Sequence, residues 1–348
     1  MSIYRAPSEA AADSGSLHPV YLAQLCHWAT EDGLPAAHLL GDAGLDAHAL
    51  HRPVPLEALQ RVLARLQGWA QGRQAGRHLA LDLGLDAPVT AHGPLTLLLN
   101  SAPNLRHGLL ALAEFMPLRT EILRLTLQPD VTHTWVAMEP AVDLGDQGPF
   151  LVEWGLACIV QLMAVMLGAG LRHVQVRLPD AEAAAAWQAR LAPLGVGVRH
   201  QSGQPQLRAP HAVLDAPLPG ANAQEHAHAL RACLDLTRVH QQAREHQARL
   251  MALLQDPEAT HGFKLDAVAR TLGLSPTTLR RHLQVRGCTF DALADASRKR
   301  LAWAWLHAGT LPVAEVAQRL GYRDTSNFSR CCRRWFGCTP REMRAQTH

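Results

Sequence analysis

VAQRLGYRDTSNFSRCCRRWFGCTP, residues 316–340, reads as a helix, a glycine break and a second helix. Val313, Val316, Ala317 and Leu320 stand at spacings of 0, 3, 4 and 7 and therefore share one helical face. Gly321 offers a left-handed position that ends this helix without a Cβ clash, and Asp324 caps the helix TSNFSRCCRRW. The chain carries the pattern twice. Leu265, Val268, Ala269, Leu272 and Gly273 repeat stripe and break at an offset of 48, and Ser275 with Pro276 opens the helix TTLRRHL. Both copies finish on Gly-Cys-Thr, at 287–289 and 337–339. Thr289 and Thr339 are placed to cap further helices, and Glu342 completes a capping box with Thr339.

Helix, glycine turn, helix, with a small Ala where the second helix crosses the first, is the helix-turn-helix plan. In each second helix the residues facing away from the apolar stripe are short or carry a guanidinium. They are Thr277, Thr278, Arg280 and Arg281 in the first copy, and Thr325, Ser326, Asn327, Ser329 and Arg330 in the second. Arg can bridge guanine O6 and N7, Asn can pair with adenine, and Ser or Thr can serve a base or a phosphate. Between the copies, Phe290, Leu293, Ala294, Leu301, Ala304 and Trp305 keep helical spacing until Gly309. A rod of about twenty residues spans roughly 30 Å, close to the roughly 34 Å of one B-DNA turn. One monomer is thus expected to set two recognition helices in adjacent major grooves of double-stranded DNA.

Charge points the same way. From His261 onward the chain holds fifteen Lys and Arg against six Asp and Glu, a net of +9, which leaves −6 on the remainder of a chain of net +3. A basic segment beside an acidic body fits a polyanionic partner. A length of 348 residues with 48% hydrophobic and 18% charged side chains describes two or three globular domains and excludes a disulfide miniprotein. Seven scattered cysteines suit a reducing cytoplasm, and no apolar run follows Arg5 to suggest a leader or an anchor. Trp154 to Leu171 is apolar except for Gln161, long enough for a membrane span. Glu153 at one end, Gly168 and Gly170 at the other, and the lack of flanking basic clusters favour a buried core helix.

The segment from about 248 to 344 resembles the tandem helix-turn-helix domain of the AraC/XylS transcription regulators, carried by Val316, Ala317, Leu320, Gly321, Tyr322, Phe328, Ser329, Arg330, Phe336, Gly337 and Pro340. The resemblance implies seven helices, with the third and sixth in the major groove, and points to the same groove-facing residues. It departs at Cys331-Cys332, where a small residue followed by an aromatic is more usual, and Cys332 is expected to pack inward. The N-terminal body is similar to the arabinose-binding-type domain of the subgroup that includes ornithine-responsive regulators. LLGDAGLDAHAL (39–50), HGPLTLLLNSAPNLRHGL (92–109) and VLDAPLP (213–219) carry that likeness, with Asn104 as a cap in place of Thr.

The expected architecture is an α+β N-terminal sensor domain followed by an all-α tandem helix-turn-helix domain. It comprises 18–220 for effector sensing or dimerisation, 221–247 as helical connector and 248–346 for DNA binding. Periodicity predicts helices near 19–28, 55–71, 104–116, 151–168 and 181–191, with strands near 121–127, 133–139 and 173–178 and short strands up to 208. A pocket is expected between the sheet and the apolar helix, with Trp135, Phe150 and Trp154 as weak candidate lining, since plain core is the commoner role for such aromatics. Twenty histidines supply no i, i+4 pair or CxxC for a metal, and no GxSxG, GxGxxG or Walker A string occurs. No catalysis, cofactor or metal is expected. The reading is a cytoplasmic, sequence-specific regulator responding to a small-molecule effector, with RNA polymerase and a second copy of the chain as further partners and no membrane. The alternative is an effector-independent regulator whose body is a dimerisation or protein-interaction module.

Overall fold

The computed structural model describes residues 15–71, 78–88 and 93–345, which divide into two units between Arg238 and Val239. In the first, alternation along Leu123, Arg124 and Leu125, buried, exposed and buried, marks a strand with one face on a core. That strand is β3 (Leu123–Pro129), which follows β1 (Ser16–Leu17) and β2 (Val54–Pro55) and precedes β4 (His133–Pro140), β5 (Gln175–Leu178), β6 (Gly197–His200) and β7 (Gln206–Pro210). β1 and β2 pair by themselves, and the other five form one sheet in the order β3-β4-β7-β5-β6. β5 and β6 are its parallel pair, with Val176 opposite Val198, and they need the crossover helix α8 (Ala181–Leu191) between them. The remaining helices of this unit are α1 (Pro19–Glu31), α2 (Ala36–Asp42), α3 (Leu56–Gln71), α4 (Leu79–Leu85), α5 (Pro94–Asn100), α6 (Leu105–Phe115), α7 (Gly148–Leu167) and α9 (His211–Leu214).

α7 is the apolar stretch whose composition also allowed a membrane span, and it is a core helix. Leu151, Trp154, Leu156, Ile159, Val160, Leu162 and Met163 are buried around most of its circumference. Two glycines let its neighbours close on it. A Cβ at Gly84 of α4 would sit 2.2 Å from the Ala157 Cβ, and one at Gly155 would press on Met138 of β4 at 3.0 Å. Gly168, at φ 51°, ends the helix. The Asn104 side chain caps α6 by accepting from the His107 amide at 3.0 Å, as its sequence position predicts. The short helices α2, α4 and α5 were not expected. Seven-residue segments are marginal alone, and their stability comes from packing that periodicity does not reveal.

In the second unit every cap read from the sequence is made. α10 (Ala223–Leu253) is one 31-residue helix, and from Val239 its residues belong here, burying Leu250. Then come α11 (Leu265–Thr271), α12 (Pro276–Val285), α13 (Phe290–Ala308), α14 (Val313–Arg319), α15 (Thr325–Phe336) and α16 (Pro340–Ala345). Ser275 accepts from the Thr278 amide, Thr289 from Ala292 and Asp324 from Asn327, while Thr339 and Glu342 exchange reciprocal bonds of 3.2 and 2.7 Å. Gly309, left-handed at φ 67°, ends α13. Val268, Ala269, Leu279, Leu283, Val316, Ala317, Leu320 and Phe328 form the core with Cys332, which points inward as expected. Burial pushes the Cys332 thiol up to about 12, so it stays protonated.

Candidate nucleic-acid interface

The two glycine turns are built alike, bond for bond. Gly273 N–H donates to Arg270 C=O and Leu274 N–H to Ala269 C=O; at an offset of 48, Gly321 N–H donates to Gln318 C=O and Tyr322 N–H to Ala317 C=O. All four distances lie between 2.9 and 3.0 Å. Each turn satisfies carbonyls that the ending helix would otherwise orphan, and each aims the next helix across its predecessor. α12 and α15 follow the turns at corresponding points, after α11 and α14. Counting the end of α10 as the first of seven, they are the third and sixth helices among the described residues.

Their free faces carry the residue types selected from the sequence. On α12, Thr277, Arg280 and Arg281 are exposed, while Thr278 is half-buried and shares its hydroxyl with Ser275 at 2.8 Å. On α15, Thr325, Ser326, Asn327 and Arg330 are exposed and Ser329 is half-buried. Asn327 is oriented from both sides: its amide donates to the second Asp324 oxygen at 2.7 Å, and its carbonyl accepts from Arg330. Two further residues belong to these faces. Gln284 is exposed and completes spacings of 0, 3, 4 and 7 from Thr277, and Arg333 extends the face of Ser326 and Arg330. Both carried the same periodic signal as their neighbours.

Each second helix is anchored differently. On α12, buried His282 meets His246 of α10, with Nδ1 atoms 2.7 Å apart and rings stacked at 4.7 Å. Burial, with His246 and Arg281 adding to it, holds His282 below the ordinary histidine range. Arg286 donates to Gln247 at 2.9 Å. On α15, Trp335 and Arg334 both donate to the Asp295 carboxylate of α13, at 3.1 and 2.8 Å. Arg298, also on α13, joins the two copies: it donates to Leu320 C=O in the second turn and to Gly262 C=O in the loop before α11. Its guanidinium lies 4.7 Å from the Phe263 ring centroid. In that loop His261, Gly262 and Phe263 all have positive φ.

The first unit holds a largely apolar cavity of about 80 Å³ between α7 and the β3–β4 pair. Trp154 lines it. Phe150 lies outside the lining and packs on Trp154 with ring centroids 6.4 Å apart. Trp135 is elsewhere on β4, under Arg177 at 4.1 Å and Arg208 at 5.2 Å. The lining includes Arg119, a charged residue that no sequence pattern singled out.

A paired reading head of this kind, preceded in the chain by an α+β body, is the plan of a DNA-binding transcription regulator. The profile described as the arabinose-binding domain of AraC transcription regulators matches residues 33–218, and a helix-turn-helix domain profile matches 268–346. The chain belongs to the AraC family of transcription regulators. An uncharacterised HTH-type transcriptional regulator of Mycobacterium tuberculosis is 28% identical over 93% of this chain and 95% of its own. The ornithine utilization regulator of Pseudomonas aeruginosa is 29% identical over 76% of this chain and 78% of its own. The crystal structure of the transcriptional regulator CdpR from Pseudomonas aeruginosa is 23% identical, covering 83% of this chain and 95% of that one with a TM-score of 0.40.

Proposed function

We propose that this regulator reads two adjacent major grooves through α12 and α15 and that a small molecule bound by its N-terminal body sets its activity. Thr277, Thr278, Arg280 and Arg281 serve one subsite; Thr325, Ser326, Asn327, Ser329 and Arg330 serve the other. The observation that carries the reading is the pair of exposed Thr/Arg and Ser/Asn/Arg faces on helices that follow equivalent turns. The connecting α13, 19 residues long, spans roughly 28 Å at a 1.5 Å rise, which suits subsites about one DNA turn apart. Residues 18–220 act as sensor, 221–247 as connector and 248–346 as DNA-binding domain. The effector shifts the protein only so far as it binds one state better than the other. The protein works in the cytoplasm, where the DNA is; RNA polymerase and a second copy of the chain are partners drawn from the family alone.

Selection from a random duplex pool with the full-length protein tests the DNA side. The expected product is a bipartite motif with half-sites about one turn apart, bound less tightly as salt rises. Recovery of no motif overturns it. A metabolite screen by thermal shift tests the sensor side. An effector at 100 times its Kd adds about 2.7 kcal/mol, whereas a flat response to every class of compound leaves the body as an interaction module.

A further inference from the structure

The cavity's polar end contrasts with the rest of its wall. Leu99, Leu112, Leu151, Ile159 and Leu162 supply hydrocarbon, and among the described lining residues none is acidic. Arg119 supplies a guanidinium at 9% exposure. An arginine keeps its charge at any pH a cell reaches. Its Nη2 donates to His18 Nδ1 over 3.0 Å, and its guanidinium carbon lies 6.0 Å from the centroid of the Tyr21 ring. Burial, helped by Arg119, drives His18 down to about 4, and burial raises Tyr21 to about 12, so both neighbours are uncharged near neutrality. The wall therefore presents a positive charge and a phenol in a mostly apolar space, and the hydroxyl of Thr120, which also lines it, already accepts from the Ile122 amide at 3.3 Å. An ammonium would meet the guanidinium as a like charge. A polyhydroxyl compound would bury hydroxyls against leucines with nothing to bond, at roughly 1 to 3 kcal/mol each. An anion with a hydrocarbon tail satisfies both ends at once.

We propose that this cavity takes a small apolar monocarboxylate, with its carboxylate on Arg119 and Tyr21 and its hydrocarbon against Leu99, Leu112, Ile159 and Leu162. The inference rests on the reading that the N-terminal body senses a small molecule, and it names the chemical class. A space of about 80 Å³ limits the ligand's size. At about 10 to 15 Å³ for each water-sized group it holds on the order of six, the scale of hexanoate or benzoate rather than a long-chain fatty acid.

Calorimetric titration of the full-length protein with hexanoate, benzoate, their amides and hexylamine tests it. The acids are expected to bind one per chain and the amides at least about tenfold more weakly, since a charge-assisted hydrogen bond is worth about twice a neutral one. Hexylamine is expected not to bind. Arg119→Gln removes the preference for acid over amide, and Arg119→Lys restores part of it. Leu162→Trp, which fills the space from its hydrocarbon wall, abolishes binding of acid and amide together. If hexanamide binds wild type as tightly as hexanoate, the carboxylate assignment is overturned, and this comparison needs no variant to fold. Silence from the acids alongside a melting shift from another compound class also overturns it while the sensor reading stands. Silence from every class overturns both.

Discussion

Gly273 and Gly321 close equivalent turns at φ 72° and 82°, yet a Cβ at Gly273 would meet open space, and one at Gly321 would lie 2.4 Å from the Gly262 carbonyl oxygen. The first glycine is needed only for its backbone conformation; the second also allows two stretches of main chain to touch. The same division runs through both copies. Stripe, turn and cap, each settled within about ten residues, are repeated. Everything made by distant residues is individual. α12 leans on α10 through a pair of histidines, α15 leans on α13 through a carboxylate, and Arg298 joins the second turn to the loop before the first. Duplicated local chemistry thus sits on unlike supports, and the two copies should fail differently.

The largest expected effect tests the glycines. Gly321→Ala should cost about 3 kcal/mol or more, because left-handed strain and a main-chain overlap act together, and Gly273→Ala about 1 kcal/mol from strain alone. Amide hydrogen exchange across α11 to α16 measures both, and equal losses would erase the asymmetry. Arg298→Ala should cost about 2 to 3 kcal/mol, since two carbonyls lose a charged donor, with protection falling in both copies. An effect confined to α14 and α15 would show that Arg298 supports only one of them.

Arg280→Ala and Arg330→Ala should each remove about 1 to 3 kcal/mol of base discrimination, each at its own half-site. Competition binding with half-site variants reads this out, and relaxation of one half-site by both variants would refute the division of labour. The smallest effect is with pH. His282 titrates below its unfolded value because burial and the neighbouring His246 and Arg281 oppose its charge. Above about pH 6.5 both folded and unfolded chains hold it neutral and its contribution is complete. As pH falls through that value the unfolded chain takes the proton first and stability is lost. α12 should therefore lose exchange protection between about pH 7 and 5.5 before α15 does, and His282→Asn should remove the difference. Parallel loss in both helices would mean the histidine pair is not the sensitive contact.

Much of the DNA-reading unit was legible because its signals are short-range. Ser275, Thr289, Asp324 and Thr339 cap the helices their positions predicted, and the exposed faces follow from spacing alone, Gln284 and Arg333 included. His246 and His282, 36 residues apart, meet only because α10 and α12 pack together, and no sequence spacing brings them to notice. The body was less legible. α4, LALDLGL, shows no clear period because it is buried on several sides, and its Gly84 gains meaning only against Ala157. Arg119 read as one arginine among many until the fold placed it in the wall of a mostly apolar cavity.

Residue order alone determined that this chain duplicates a helix, a left-handed glycine and a capped second helix, because backbone preference and capping act over a few neighbouring residues. It also determined that Thr, Asn and Arg face outward there, since helical periodicity assigns faces without knowing what covers the other side. Tertiary packing alone decided which segments cover the apolar α7, that one carboxylate and two histidines are the separate props of α15 and α12, and that the Arg119 guanidinium ends in the wall of a mostly apolar cavity. Those outcomes depend on desolvation and contact between segments far apart in the chain, and such quantities have no value until the segments meet.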